Sequence, residues 1–236
     1  MGIMKRTYVS SMHALGDAAE RLGIAGALER ASPRSRTARW LRSLFAIYRI
    51  DQMTKLDLPW WTLDAIDRVH AFLRDRPAAR VFEYGSGAST IWLAKRAGTV
   101  TSVEHDAGWY PIVREKLAGF PNAHLLHVPA DEVTHSDPSY LSIKPGWKGR
   151  SFHDYVHAID DVPGTFDLIV IDGRARTACL THVAGRLAPG GIILFDNSHR
   201  PAYRRAIAAA GMQTTRTGGL TACLPYPDET TLLQPQ

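Results

Sequence analysis

Residues 80–106 read RVFEYGSGASTIWLAKRAGTVTSVEHD and decide the fold of the chain. Residues 81–84 form a short apolar run, which is typical of a buried parallel strand. Gly85 and Gly87 follow, and they allow the backbone to turn sharply and to approach a ligand closely because neither carries a Cβ. A helix and a second, β-branched strand over residues 99–103 complete the stretch. This order of strand, glycine turn, helix and strand predicts one unit of a doubly wound α/β sheet.

The helix inside this stretch carries its own end signals. Ser89 or Thr90 supplies a hydroxyl that can cap its first turn, and Gly98 ends it after about Ala97. A glycine turn that leads into a helix N-terminus is a general device for binding nucleotides. The charges beside the turn must therefore decide which nucleotide fits.

Two acids flank the turn. Glu83 stands two residues before Gly85, and Glu104 follows that glycine by nineteen residues, at the end of the second strand. A dinucleotide fingerprint has a third glycine where Thr90 stands here, and a carboxylate at Glu83 would repel a pyrophosphate. Glu104 is placed to accept hydrogen bonds from both hydroxyls of a ribose. The pattern indicates a positively charged nucleoside without phosphate, such as S-adenosylmethionine.

The chain has a pattern that resembles the first two motifs of the class I S-adenosylmethionine-dependent methyltransferases. Its residues are Glu83, Gly85, Gly87 and Glu104. The resemblance covers roughly residues 60–236, and Ser89 replaces the third glycine of the family. It implies a binding site for S-adenosylmethionine, in which similar proteins also place an adenine-contacting acid near Asp131. We therefore predict that the cofactor is bound by Glu83, Gly85, Ser86, Gly87, Glu104, His105, Asp131 and Asp172.

The same resemblance implies a Rossmann-like, doubly wound sheet of about seven strands, mostly parallel and closed by a C-terminal antiparallel hairpin. The sequence supplies apolar runs for the remaining strands at residues 124–128, 166–171, 192–195, 212–217 and 229–234. We expect two parts in the chain. Residues 1–58 form a helical N-terminal extension, and residues 59–236 form the methyltransferase domain.

Composition sets limits on the class of protein. The chain has 236 residues, of which 45% are hydrophobic and 22% are charged, as in ordinary globular proteins. The net charge of +5 does not by itself indicate nucleic acid as a partner. Cys179 and Cys223 lie in apolar contexts and are interpreted as reduced core thiols. Because neither a transmembrane run nor a signal peptide is evident, we expect a cytoplasmic protein.

The N-terminal extension has two amphipathic segments. The first has a helical stripe that packs on the domain or on a partner subunit, so a homodimer is one arrangement it allows. The second, residues 31–50, has one apolar face edged by arginines and contains no acid. It either lies on an anionic membrane or forms an ordinary helix with solvated arginines, and we favour the ordinary helix.

Two further segments are candidates for covering the site. Trp60 and Trp61 precede the helix that leads into the first strand, and they either form a lid over the cofactor or anchor the core. Residues 133–150 are rich in Pro, Gly, Ser and Lys, which is typical of a loop beside a site.

A second group of oxygen ligands follows two later strands. Asp172 ends the fourth strand, and Asp196 and Asn197 end the fifth. Carboxylate and amide oxygens suit Mg²⁺ or another hard divalent ion. The group resembles the metal triad of the catechol-type and macrocin-type O-methyltransferases, in which the metal would bind two neighbouring substrate oxygens. The alternative is turn chemistry, because Asp-Gly and Asp-Asn are common after strands.

The catalytic base departs from the catechol-type pattern. Those enzymes carry a lysine three residues after the first metal acid, and that position is Ala175 here. His199 is the candidate proton acceptor instead, together with Asp172 as the second candidate catalytic residue. Nearby arginines either hold an acidic substrate or form structural ion pairs; they are Arg174, Arg176 and Arg200.

Two histidines form a separate pattern. His153 and His157 are four residues apart on a predicted helix, a spacing that can hold a metal ion. No third ligand accompanies them in the sequence, so we interpret them as histidines that face solvent.

The sequence thus predicts an S-adenosylmethionine-dependent methyltransferase that acts on a hydroxyl of a small molecule or glycan, with a divalent metal as an optional aid. Nucleic acid is not the expected acceptor, since no Asn-Pro-Pro-aromatic motif or cysteine nucleophile motif is present. Two alternatives stay open: an NAD-dependent dehydrogenase, and a non-catalytic scaffold that binds a cofactor or a membrane.

Overall fold

The computed structural model describes residues 3–131, 137–142 and 144–236. A single mixed sheet of seven strands runs through them in the order β3-β2-β1-β4-β5-β7-β6. The strands are β1 Arg80–Tyr84, β2 Thr99–Glu104, β3 Ala123–His127, β4 Phe166–Ile171, β5 Leu187–Asp196, β6 Gln213–Gly219 and β7 Asp228–Gln234. The first five are parallel, and β7 pairs antiparallel with both β5 and β6. The prediction of a doubly wound sheet with a reversed C-terminal hairpin is confirmed.

Helices cover both faces of the sheet. The helices are α1 Ile3–Arg21, α2 Ile24–Ala31, α3 Arg36–Leu44, α4 Ile50–Lys55, α5 Leu63–Arg74, α6 Ala88–Ala94, α7 Trp109–Lys116, α8 His153–His157, α9 Arg176–Val183 and α10 Pro201–Ala209. Neighbouring residues of β1 point to opposite faces, as the pleat requires. Val81 therefore packs in a core with α5 and α6, whereas Phe82 packs in a second core with α8, α9 and α10.

Some element boundaries differ from the sequence prediction. Strand β5 begins at Leu187 instead of residue 192, because the chain pairs with β4 through an irregular register before the regular strand. Gly191 permits this pairing, since a Cβ there would lie 2.9 Å from the carbonyl oxygen of Phe166. Helix α6 ends at Ala94, and Gly98 instead allows the chain to pass the backbone of Ala78, 2.9 Å from where its Cβ would be.

The N-terminal helices share a core with the sheet domain. Val9, Ile47 and Met53 pack with Ile91 of α6 and Val113 of α7. A second contact with the domain comes from α3. The indole of Trp40 donates a hydrogen bond to the carbonyl of Leu224 at 2.8 Å. The extension therefore packs on the domain, as one of the two predicted arrangements requires.

Among the residues that the structure describes, four of the five arginines of residues 31–50 form ion pairs within the chain. Arg36 contacts Asp67 at 2.9 Å, and the guanidinium of Arg42, only 2% exposed, contacts Glu29 at 2.8 Å. Arg49 contacts Asp17 at 3.1 Å. These ion pairs support the ordinary helix over the membrane-bound one, but the prediction of solvated arginines is wrong for Arg42, which is buried against Glu29. None of the helices in the described part of the chain has the length and apolar content that a bilayer crossing requires.

Candidate functional site

The carboxyl ends of β1, β2 and β4 surround a cavity of about 220 Å³. It is lined by Glu83, Gly85, Ser86, Ser89, Glu104, His105, Lys144, Asp172, Gly173, Arg174 and Arg176. Strand ends meet here because parallel strands deliver their carboxyl termini to one edge of the sheet, which is where ligands bind in this architecture. Of the eight predicted cofactor residues, six lie in this lining, whereas Gly87 and Asp131 do not.

The glycine turn forms the floor of the cavity. Gly85 has a φ of 115°, and a Cβ on it would lie 3.4 Å from the backbone nitrogen of Gly173. Gly87 has a φ of 152° and precedes the first turn of α6. The indole of Trp109 donates a hydrogen bond to the carbonyl of Ser86 at 3.1 Å and covers the turn from the side of α7. Side chains at the two glycines would strain the turn, which leaves the backbone open to a ligand.

Glu83 is fully buried and is held by three hydroxyl groups. Ser102 and Thr90 donate hydrogen bonds to its carboxylate at 2.5 and 2.6 Å, and Ser89 donates a third. Burial raises the pKa of Glu83 to about 7, although these hydroxyls oppose the rise. The hydroxyls of Ser89 and Thr90 thus turn inwards to the acid. Thr90 also accepts a hydrogen bond at 3.0 Å from the backbone N–H of Gly87, the N-cap residue of α6, so its hydroxyl caps the first turn as the sequence predicts.

Glu104 lies at the end of β2 and is held differently. Ser86 donates a hydrogen bond to one oxygen at 2.6 Å, and the backbone N–H groups of His105 and Asp106 donate to the other at 2.8 Å. Burial alone would raise the pKa of Glu104, but the hydrogen bonds from His105, Ser86 and Asp106 outweigh it and lower this pKa. The carboxylate is therefore ionised at neutral pH and suited to accept bonds from ribose hydroxyls.

His105 connects the two sides of the cavity. Its Nδ1 lies 2.9 Å from Glu104, and its Nε2 accepts a hydrogen bond from Arg174 at 2.9 Å. These partners assign the proton to Nδ1 of a neutral ring. The edges of Phe152 and Trp147 pack against the same imidazole, with ring centroids 5.5 and 4.9 Å away. His105 itself lines the cavity, and these edge-to-face contacts hold its ring in place.

Asp172 and Asp196 form a second pair of acids, and Arg176 lies between them. The guanidinium contacts Asp172 at 2.8 Å and Asp196 at 3.7 Å, and it also donates to the carbonyl of Asp196 at 2.6 Å. Burial raises the pKa of Asp172, and burial together with the charge of Asp172 raises that of Asp196 well above its ordinary value. Arg176 opposes both shifts and supplies the compensating charge.

The predicted metal ligands do not fit a divalent ion in this arrangement. Arg176 takes the position between the two carboxylates that a shared cation would need. Asn197 turns away from Asp172, because its amide donates a hydrogen bond to Asp228 at 2.8 Å and its φ is 52°. A hard ion needs several oxygens within about 2.1–2.6 Å, and one carboxylate pair already bound to arginine does not provide them. The magnesium site therefore stays a prediction of the sequence alone.

His199 lies just beyond β5 and is oriented by a buried acid. Its Nδ1 is 2.7 Å from the carboxylate of Asp228, whose side chain is only 6% exposed. Asn197 and the backbone N–H of Glu229 also donate to Asp228, so its position is fixed. An imidazole held at Nδ1 presents Nε2 outwards, which is the arrangement of a general base and its orienting carboxylate.

Each of the remaining site candidates has a different environment in the structure. The buried indole of Trp61 donates a hydrogen bond to Asp172 at 3.2 Å, so it supports the acid pair from inside the core. Trp60 packs edge to face on Tyr48, with ring centroids 4.8 Å apart. Asp131 pairs through its backbone N–H with Ser151 at 2.8 Å. Part of the predicted loop, residues 133–136 and 143, lies outside the described residues.

Sequence reasoning missed three residues that shape the site. Ser102 stands opposite Glu83 in the β1–β2 register, and a polar residue within an apolar strand was its only signal. Trp109 was visible only as an aromatic residue at the start of α7. Asp228 had no motif, because it meets His199 only when β7 returns beside β5.

A family model described as a methyltransferase domain matches residues 82–198. The match begins inside β1 and ends just after β5, so it includes all four acids at the sheet edge. No curated protein matches the sequence. The match to the methyltransferase family model favours the methyltransferase prediction over the dehydrogenase and scaffold alternatives.

Solved structures share the fold at low sequence identity. A protein from Methanobacterium thermoautotrophicum described as a precorrin 8W decarboxylase has a TM-score of 0.53 and 14% identity, covering 75% of this chain and 93% of that chain. A methyltransferase-like protein from Silicibacter pomeroyi has a TM-score of 0.51 and 24% identity, with coverages of 74% and 87%. A precorrin-6y C5,15-methyltransferase from Geobacter metallireducens has a TM-score of 0.50 and 13% identity, with coverages of 73% and 87%. These similarities concern the fold alone.

Proposed function

The chain belongs to the class I S-adenosylmethionine-dependent methyltransferases, and we propose that it methylates a hydroxyl group of a small molecule or a glycan with His199 as the base. The observation that carries this proposal is the contact between Nδ1 of His199 and the buried carboxylate of Asp228, at 2.7 Å. The pair follows β5, whose last residue, Asp196, lies beside the acid–arginine group of the cavity. A base at this edge suits an acceptor that must lose a proton, as a hydroxyl does.

The cofactor half of the site fits S-adenosylmethionine. The glycine turn leaves space for a ligand against the backbone, and Glu104 is an ionised carboxylate at the cavity wall. We propose that Gly85 and Ser86 contact the cofactor through their backbone and that Glu104 accepts hydrogen bonds from the ribose. When bound, S-adenosylmethionine supplies an electrophilic methyl group on a sulfonium.

The chain itself performs the proton chemistry. Nε2 of His199 accepts the proton of the acceptor hydroxyl, and Nδ1 keeps its own proton in the hydrogen bond to Asp228. The carboxylate of Asp228 then stabilises the imidazolium that forms. Arg176 places one positive charge beside Asp172 and Asp196, which reduces the negative charge that a developing oxyanion at this edge would face.

The test separates cofactor binding from chemistry. The His199→Gln variant is expected to lower kcat by about 10²–10⁴-fold toward a hydroxyl acceptor found in a panel of phenols and sugars, because a general base contributes that much. Its affinity for S-adenosylmethionine, measured by calorimetry, should stay that of the wild type. His124→Gln, an exposed histidine on β3, is the matched control and should change neither quantity.

The cofactor assignment has its own variant. Glu104→Gln should weaken S-adenosylmethionine binding by about 10–100-fold, since hydrogen bonds to a charged group are worth about 1.5–3 kcal/mol. Glu115→Gln, an exposed glutamate on α7, is its control. Wild-type kcat in His199→Gln would contradict the assignment of the base, and methyl transfer to amines or nucleic acid alone would contradict the acceptor class.

A further inference from the structure

A group of metal-ligating side chains lies on the helical layer opposite α5, away from the cavity. Nδ1 of His157 lies 3.1 Å from Oδ2 of Asp160, and Nε2 of His182 lies 2.8 Å from the same oxygen. One ligand atom of each residue falls within 4.8 Å of the other two. The sequence showed no third ligand for the pair His153 and His157, and His157 is the member of that pair that belongs to this group. The fold supplies two further ligands, because Asp160 follows α8 and His182 lies on α9 beside it.

The carboxylate of this group is held in a fixed orientation. Arg186 donates to Oδ1 of Asp160 at 3.2 Å, and its guanidinium is held in turn by the carbonyls of Ile159 and Gly164, both at 2.9 Å. Oδ2 is therefore directed to the two histidines. Partners of this kind orient the ligands in metal sites and fix their donor atoms.

The imidazole rings of this group are also packed so that one nitrogen of each faces Oδ2 of Asp160. The imidazoles of His157 and His182 have centroids 4.2 Å apart, and Tyr140 Oη lies 3.4 Å from Nε2 of His157. That contact keeps Nε2 of His157 on the side of Tyr140 and directs Nδ1 to Asp160. His157 and His182 are about one third and one quarter exposed, so an ion from solvent can reach them.

We propose that His157, Asp160 and His182 bind one divalent transition-metal ion, with zinc as the preferred ion. Two imidazoles and one carboxylate are a common ligand set for zinc, and water completes a tetrahedron. Ligand atoms about 2.0–2.1 Å from the ion would lie about 3.3 Å from one another in that geometry. The two nitrogen–oxygen distances need to open by a few tenths of an ångström and the nitrogen–nitrogen distance, at most 4.8 Å, needs to close, which rotations of the two partly exposed imidazoles supply.

The site joins two helices that shape the cofactor cavity. Helix α8 carries Tyr155, whose ring packs 6.1 Å from that of His105, and α9 begins at Arg176. An ion held by both helices would therefore restrain the cavity wall on one side and the arginine between the acids on the other. This is a structural role, separate from the transfer reaction.

The experiment uses the full chain without a histidine tag, treated with chelator and desalted. Calorimetry with zinc chloride should give one ion per chain, and zinc should raise Tm. The variants His182→Ala and Asp160→Asn should lose both effects, because each removes one of three ligands. His124→Ala should keep both, since this exposed histidine lies on β3. Circular dichroism of each variant reports whether its fold is retained.

Several results would overturn the site. They are the absence of stoichiometric binding by the wild-type chain, binding that persists in both ligand variants, and binding that is lost in Asp196→Asn but kept in Asp160→Asn. The last result would move the ion to the edge of the sheet. None of these readouts depends on methyl transfer, so the outcome is independent of the proposed function.

Discussion

The edge of the sheet has two pairs of acids, and the protein neutralises them in different ways. At the ends of β1 and β2, Glu83 and Glu104 each have their own donors, which are hydroxyls for the first and mainly backbone N–H groups and His105 for the second. At the ends of β4 and β5, Asp172 and Asp196 share a single guanidinium from Arg176. The first pair is built from separate hydrogen-bonded units, and the second is one ionic unit.

The difference shows that burial and the hydrogen-bond donors together set the charge of an acid at this edge. Glu83 and Glu104 are both buried, yet hydroxyls leave the pKa of Glu83 raised by burial to about 7, whereas backbone N–H groups and an imidazole lower that of Glu104. Burial raises the pKa values of Asp172 and Asp196, and the internal cation of Arg176 opposes the rise in each. The stability of the pair Asp172 and Asp196 should therefore depend on Arg176 far more than the pair Glu83 and Glu104 depends on any single donor.

The largest effect is expected at Arg176. The Arg176→Met variant keeps much of the side-chain volume but removes the cation between two buried acids. We expect a loss of about 3–5 kcal/mol in the free energy of unfolding, since breaking a buried ion pair leaves an uncompensated charge. Urea denaturation at neutral pH measures this loss.

The control is an exposed arginine. Arg68→Met removes an arginine on α5 whose side chain is 51% exposed and should cost little. The double variant Arg176→Met with Asp196→Asn should regain part of the stability, because one buried charge is gone. Equal stability of Arg176→Met and the wild type would show that the acids do not form an ionic unit.

A smaller effect is expected at Glu83, and it depends on pH. Burial raises the pKa of Glu83 from 4.5 to about 7. Because the folded-state pKa is the higher one, Glu83 favours folding fully below about pH 4.5, and this contribution is lost as the pH rises through about 7. Relative to the wild type, Glu83→Gln should therefore become more stable as the pH is raised from about 5 to about 8, by on the order of 2–3 kcal/mol.

Glu104→Gln is the matched comparison, read as the difference from the wild type in urea denaturation at each pH. The pKa of Glu104 is lowered in the folded state, so its contribution changes only at acidic pH, below the ordinary value of 4.5. The difference for this variant should stay flat from about pH 5 to about pH 8. A flat difference for Glu83→Gln as well would show that the hydroxyls keep Glu83 ionised.

Much of this edge could be predicted from the sequence. The spacing of Glu83, Gly85 and Glu104 carries local information, because the strand, turn and helix that place them are continuous in the chain. The mixed sheet and its reversed C-terminal hairpin were implied by the family resemblance, and apolar runs supplied the positions of the strands. Residues that act within one β–α–β unit were therefore found.

The contacts between distant segments could not be found in this way. Arg176 was visible as a nearby arginine, but its position between the two acids depends on the pairing of β4 with β5. Asp228 reaches His199 across twenty-nine residues of chain, and His182 reaches Asp160 across twenty-two. A single sequence has no periodicity that reports such pairs. The sequence therefore showed no third metal ligand for His157, and it placed Asp196 in a predicted metal site because it did not show the contact with Arg176.

The smallest effect is expected from chelation, and it tests the ionic unit most directly. Arg176 already supplies the positive charge between Asp172 and Asp196, and a divalent ion placed there would repel the guanidinium. The methyl-transfer rate should therefore be unchanged by EDTA and by added Mg²⁺. The measurement is best made in the Asp160→Asn variant, so that removal of zinc from the proposed helical site does not confuse the result. A rate that falls with EDTA and returns with Mg²⁺ would mean that Arg176 leaves its position. The predicted metal ligands Asp172, Asp196 and Asn197 would then surround a metal ion. Both pairs of acids at the edge of the sheet would in that case serve to bind a ligand.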